Sequence, residues 1–430
     1  MIRLTKLALN TAVCLGLAIS SSVFAENIAI VGAKIHTMST VGTIDEGTVL
    51  IRDGRIQQII EGTSVPSGYR QYDAKGKVVT PGLFGALTSL GLEEVSLSAG
   101  VVDARTHAHA VSSVGAAFDV QFALNADSSV IPITRVEGFT SAATTITRSE
   151  NLFQGQGAII SLAEGFDAVI KPNAFMSVSV NDGAAEDNGG SRAAMWVALN
   201  ASLDEATFAR GYDLSPSEAW DGLTTREDVK ALMKVVNGDM PLLVRADRAS
   251  DILQVIKLKQ RFSDINLVLV NGSDAWRVAQ QLADAKVPVI LNPENNLPGG
   301  FDQLGATLEN ASRLFKAGVM VAIGIDTHNI RLATQHAGNA VANGLPHAAG
   351  LAALTANPAK IFGVYNEVGS LESGKKADVV IWSGDPLEVT QVAEQVFING
   401  EAVEMTSRQI KLRNRYMNRN SSKPVAYTRP

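Results

Sequence analysis

Between residues 241 and 343, short apolar runs alternate with stretches whose apolar residues recur at helical spacing. Residues 242–246, 267–270, 288–291 and 319–325 are nearly continuously apolar and short, which predicts strands buried on both faces. Between them, Ile252, Val255, Ile256 and Leu258 share one face behind Ser250, a residue type that favours a helix N-cap. A second helix is expected to open at Ser273 and run through Val278, Ala279 and Leu282, and a third to lie near 308–317. With earlier strands around 141–146 and 158–162, the pattern predicts an α/β fold, a (β/α)8 TIM barrel over residues 81–364. That span suits a fold of typically ~250 residues. An open doubly wound sheet shares the same periodicity.

The two ends of the chain have a different rhythm. Residues 27–80 alternate short β-rich runs with turns, and Asp53-Gly54 is a hairpin signature. Near the C-terminus the run 379–382 and the Asn399-Gly400 turn repeat that character. The expectation is a small β-sandwich domain assembled from residues 26–80 and 365–405. Segments 96–127 and 181–221, rich in Ala, Gly, Ser and Asp, read as long loops or helical insertions over the barrel mouth. The stretch 406–430 is a basic C-terminal tail, expected as a surface helix with a solvated end.

Composition adds a compartment and removes several chemistries. Residues 1–25 combine Arg3 and Lys6, an apolar stretch, and small residues around Ala25, the pattern of a cleaved signal peptide. A periplasmic or secreted product follows, with no stable membrane insertion. The single cysteine, Cys14, falls inside that peptide, so a mature chain beginning at Glu26 has neither disulfides nor thiolate chemistry. Loss of Arg3 and Lys6 leaves 35 basic residues against 43 acidic, a net charge of −8, which disfavours nucleic acid as a partner.

In a TIM barrel the active site lies at the C-terminal ends of the strands. Strand ends read from the periodicity bring Arg245, Asp247, Asn271, Asn292, Asp326 and His328 to the mouth. Among these is one histidine, whereas a hydrolytic zinc centre needs about three protein ligands and an open position for water. His107 and His109 form a His-x-His pair, but the residues before them read as loop, so an ordinary surface pair is expected. His36 and His347 read as structural or exposed, and His336 falls on the helix after the eighth strand with no evident partner.

The segment 78–94, VVTPGLFGALTSLGLEE, together with LIRDGRIQQI, PLLVRADRASDI, VAIGIDTHN, LTANPAKIFGV and GSLESGKKADVVIW, resembles the imidazolonepropionase-like branch of the amidohydrolase superfamily. The segments follow one another along most of the chain in that family's order. The resemblance implies a metal-dependent hydrolase acting on non-peptide C–N bonds of cyclic or small amides. It also implies that Gly85 stands at the family's first-strand Asp, Leu87 and Ser89 at its two metal histidines, Arg245 at the histidine position of strand five, and Asn271 or Gly272 at that of strand six. Asp326 matches the eighth-strand Asp that shuttles the proton of the attacking water, and Lys171 is a weak match for the fourth-strand lysine of two-metal members.

These readings give a degenerate metal site, with Asp326 as the catalytic candidate and Arg245, Asn271 and His328 as substrate-binding candidates. No tightly bound cofactor is expected, or at most one divalent metal such as zinc. The alternative is a non-catalytic barrel that binds a small ligand, as a homo-oligomer or as partner to a paralogous amidohydrolase. Because strands five and eight lie on different sides of the mouth, Arg245 and Asp326 are expected to polarise a pocket between them. Terminal sequencing of the exported protein should start at Glu26; an intact Met1 in a soluble cytoplasmic product would contradict the signal peptide.

Overall fold

The computed structural model describes residues 26–94 and 101–417. The proposed signal peptide lies outside the described residues, as do positions 95–100 and the end of the tail. The barrel sheet has eight strands: Leu83–Thr88, Phe139–Thr144, Phe153–Ser161, Val169–Ser179, Leu242–Ala246, Leu267–Asn271, Val289–Leu291 and Val321–Ile323, neighbours in that order. Strands four to eight are mutually parallel, as the continuous apolar runs predict. The third strand is a departure: it runs antiparallel to both neighbours, so its N-terminal end, not its C-terminal end, lies at the mouth.

The alternation of side chains separates two cores. Leu242, Val244, Leu269, Val289, Leu291 and Val321 pack with the helices outside the barrel. Leu243, Val268, Val270, Ile290 and Ala322 pack inside it with Phe84, Phe175 and Phe362. Period-two alternation then directs Arg245, which follows Leu243 and Val244, into the barrel interior. The first and eighth strands meet without a ladder. Gly324 allows this close approach, since a Cβ there would fall 3.1 Å from Leu87 Cβ and 3.2 Å from Leu87 N. Thr88 Oγ1 donates to Thr327 O at 2.6 Å and stitches the same seam at the mouth.

Helix boundaries differ from the sequence reading at two places. Ser250 lies inside helix Ala249–Arg261, whose N-cap is Arg248 without a side-chain bond. The free amide of Ala249 instead reaches Asp274 Oδ2 at 3.4 Å, so a carboxylate from the next turn replaces the local cap. Ser273 does not cap a helix either; a short 3-10 turn, Ala275–Val278, precedes helix Ala279–Asp284, and the Ser273 hydroxyl is spent on Asp247.

Strands from both chain ends join in one further sheet, in which Ile28–His36 pairs with Thr43–Arg52, and Val78–Pro81 pairs with Val379–Trp382. Its two predicted hairpin turns, at Asp53-Gly54 and Asn399-Gly400, have positive φ at both residues and pack against each other. A Cβ on Gly54 would fall 2.7 Å from Asn399 O, so glycine is required for the approach as well as for the turn.

Asp378, just before the inner strand Val379–Trp382 of this sheet, accepts from Asn399 N at 2.9 Å, and burial pushes its carboxyl up to about 6. A carboxyl raised in the folded state favours folding when protonated. That stabilisation is full below about pH 4 and is lost as pH rises through 6. Asp378→Asn keeps the acceptor and removes the charge. The variant should show a flatter stability slope between pH 4 and 6.5, and at pH 7 a gain on the order of 2 kcal/mol. Chemical denaturation of both proteins across that range checks it; identical slopes would refute it.

Candidate functional site

The centre of the mouth is an ion pair. Arg245, 5% exposed at the end of strand five, donates through Nη2 to Asp326 Oδ1 at 3.0 Å and through Nη1 to Asp326 Oδ2. Its Nε donates to Gln154 Oε1 at 2.9 Å. Gln154 reaches the mouth only because strand three is reversed, and sequence periodicity carried no sign of that reversal. The expected polarised pocket is therefore corrected. Strands five and eight stand three ladder spacings apart, about 14 Å along the wall. The length of the arginine side chain spans the chord, and the opposite charges close on each other in bidentate geometry.

The other predicted residues distribute around this pair. Asn271, with φ of 71°, leaves the strand alternation and lines a cavity of about 260 Å³ together with Leu87, Asn292, Asn295, Asp326 and Thr327. Leu87 belongs to the interior apolar core, and Ser89, fully buried, donates to Glu93 Oε2 at 3.2 Å. Gly85 leaves no room for a side chain without rearrangement, because a Cβ would lie 2.9 Å from Ile330 Cγ1. His328 Nδ1 stands 3.6 Å from Glu93 Oε2, beyond hydrogen-bond distance, and is buried with no hydrogen-bond partner among the described residues. Glu93 was not singled out by sequence reasoning; as part of a turn after strand one, it had no periodic signal.

Asp247 does not pair with Arg245. Its Oδ1 accepts from Ser273 N at 3.1 Å and Ser273 Oγ at 2.7 Å, and Gln303 Nε2 lies 3.3 Å from Oδ2. It serves as a brace between the ends of strands five and six. Lys171 is at the opposite end of the barrel, donating to Phe362 O at 3.0 Å, so it cannot contribute to the mouth. His107 is exposed and pairs with Glu150 at 3.0 Å, while His109 Nδ1 accepts from Val111 N at 3.2 Å. Burial pushes the His336 imidazole below its usual value, partly offset by Glu294. Burial likewise pushes His36 down, aided by Lys34 and His347.

The flanking segments are fastened to the rim by carboxylates. Asp228, fully buried, accepts from Val114 N at 3.2 Å, Ala117 N at 3.0 Å and Thr225 Oγ1 at 2.7 Å, which ties the 112–117 loop to helix Arg226–Val236. Within the other predicted insertion, helix Arg192–Phe208 begins with Arg192, which meets Asp251 at 3.0 Å, Asp302 at 2.5 Å and Asp182 at 2.5 Å.

Among the described residues, no three His, Cys, Asp or Glu side chains group so that they could hold a metal ion. Residues 263–403, which contain strands six to eight and the return to the outer sheet, match the model of the amidohydrolase family. About a third of the chain is thus similar to the amidohydrolase family, and the barrel sheet around it has the TIM-barrel fold of a solved amidohydrolase. An amidohydrolase from Thermotoga maritima MSB8 superposes with a TM-score of 0.78 at 25% identity, covering 88% of this chain and 99% of that one. Imidazolonepropionase from Maricaulis maris (strain MCS10) is 26% identical over 177 residues, 40% of this chain and 42% of that protein. Amidohydrolase tasK from Hapsidospora irregularis is 42% identical over 59 residues, 14% of this chain and 6% of that protein. The matches thus span less than half the length of either curated relative. Proteins of this family usually use metal ions.

Breaking the central pair should be costly and non-additive. Arg245→Met leaves Gln154 Oε1 and a carboxylate without donors, while Asp326→Asn leaves a buried guanidinium under-compensated. Asp326 is about one-third exposed, so water recovers part of the loss, and about 1–3 kcal/mol is expected for each single change. The double variant should lose less than the sum by at least about 1 kcal/mol. Urea unfolding of the four proteins measures this; additive losses would show that the two charges do not act as a unit.

Proposed function

We propose that this chain is a periplasmic amidohydrolase-family barrel in which an arginine–carboxylate lock stands where the family mounts its metal ions, and that the mouth binds a small polar ligand without two-metal hydrolysis. The observation that carries this reading is the engagement of both Asp326 oxygens by Arg245. A guanidinium stays charged at any physiological pH and repels a divalent cation placed beside the same carboxylate. The side chains at 87, 89 and 271 are Leu, Ser and Asn, none of them a strong metal ligand, so the donor set does not fit the usual two-metal centre. The cavity beside the lock presents the amides of Asn271, Asn292 and Asn295 and the Asp326 carboxylate against apolar Leu87 and Ile290. Such a lining suits a small amide-bearing molecule. In this reading Asn271 and Asp326 contact the ligand, Arg245 holds Asp326 in place, and His328 borders the rim.

A second reading, hydrolysis of non-peptide C–N bonds in cyclic or small amides, is favoured by the carboxylate at the end of strand eight and by the named activity of the Maricaulis maris relative. Asp326 is then the general base, which requires the Arg245 contact to open. A second copy of this chain, or a paralogous amidohydrolase, remains the proposed protein partner. Elemental analysis of the protein purified without added metal should find less than one tightly held divalent ion per chain. Stoichiometric zinc that survives dialysis would overturn the lock reading in favour of the hydrolytic one. His107→Ala combined with His109→Ala would then show whether that pair supplies the ligands.

A further inference from the structure

At the end of the barrel opposite the mouth lies a cavity of about 590 Å³, within the range of small-molecule sites. It opens where strands five to eight begin, with Pro241, Leu267, Pro288 and Met320 on its walls. We propose that this floor cavity is a binding site for a small organic anion, a carboxylate or phosphate carried on an apolar body. Four lysines line it, Lys171, Lys259, Lys286 and Lys360, against a single acidic residue, Asp239. None of the four makes a salt bridge with a described residue.

Lysines near helix C-termini also compensate the negative end of the helix dipole. Lys259 lies in the last turn of Ala249–Arg261 and Lys360 in that of Ala356–Ile361, so this bland role applies to both. Lys286, with φ of 51°, follows the C-cap of Ala279–Asp284, so the same role reaches it too; what that role leaves open is why these lysines converge on one cavity with a single carboxylate. Lys171 adds a second cation at the end of helix Ala356–Ile361, where its ammonium donates to Phe362 O at 3.0 Å. Burial, and secondarily repulsion from Lys286, hold the Lys259 ammonium below its usual range, so Lys286 lies near enough to act on it. An anion relieves that repulsion. Meanwhile Met320, 39% exposed, and the half-buried Pro241, Pro288 and Ile361 offer apolar surface to the rest of the ligand.

Hexyl phosphate, hexanoate and hexanol, titrated calorimetrically into the mature protein, test the assignment. At least one of the two anions should bind, and hexanol should bind about tenfold more weakly or not at all. The stronger anion identifies the headgroup class. Lys259→Gln with Lys286→Gln should weaken anion binding by about tenfold or more, with the effect shrinking at high salt. Lys286→Gln alone changes one exposed side chain and provides the same readout, at smaller amplitude, if the double variant folds poorly. Absence of anion binding, equal binding of hexanol, or unchanged affinity in the lysine variants would each overturn the proposal. A variant that only melts earlier, with affinity intact, would assign the lysines to helix ends alone. The mouth lock is untouched by these substitutions, so either outcome leaves the reading of Arg245 and Asp326 standing.

Discussion

A charge directed into the interior of a barrel must be matched there, and Arg245 is the charge around which this mouth is arranged. Strand alternation sends its side chain inward from the wall of strand five, into a region otherwise packed with Leu243, Val270 and Ile290. A guanidinium in such a place costs several kcal/mol unless it is paired and its donors are used. Asp326 and Gln154 meet that requirement from strands eight and three, so three separate parts of the wall are held at fixed spacing. The neighbouring brace, Asp247 on Ser273, stiffens the same rim between strands five and six. The reversed third strand acquires a role in this light, because it brings a neutral acceptor, Gln154, to the arginine.

Much of the barrel was legible as periodicity. The four apolar runs between residues 242 and 325 correspond to parallel strands, because a strand covered on both faces leaves no polar position to vary. What periodicity could not carry was direction. Residues 153–161 have the same β-rich composition whichever way the strand runs, and only the short connection to Val169–Ser179 hints at a hairpin. Helix starts were misplaced for a related reason. Ser250 and Ser273 are good local caps, yet carboxylates from neighbouring turns took over the amide or the hydroxyl that local rules would have used.

At the candidate site the identity of each mouth residue was readable and their mutual geometry was not. Arg245 and Asp326 are three strands apart, a separation that suggests distance; side-chain reach across the chord decides otherwise. Glu93 and Gln154 escaped notice because neither sits at the C-terminal end of a strand. Lys171 matched a family position in order along the chain, but its place at the start of strand four puts it at the floor.

The pairing of Val78–Pro81 with Val379–Trp382 has a consequence for how the molecule comes into being. The strand that leads into the barrel already lies against Ile28–His36, but its second partner arrives only once residues 379–382 have been made. Until then its outer edge presents unpaired backbone amides and carbonyls, an adhesive surface for any other extended segment. A translation product that stops short of residue 379 can still contain every barrel strand, yet it keeps that edge bare. Quality control that senses exposed strand edges would thus separate finished chains from truncated ones by this seam alone.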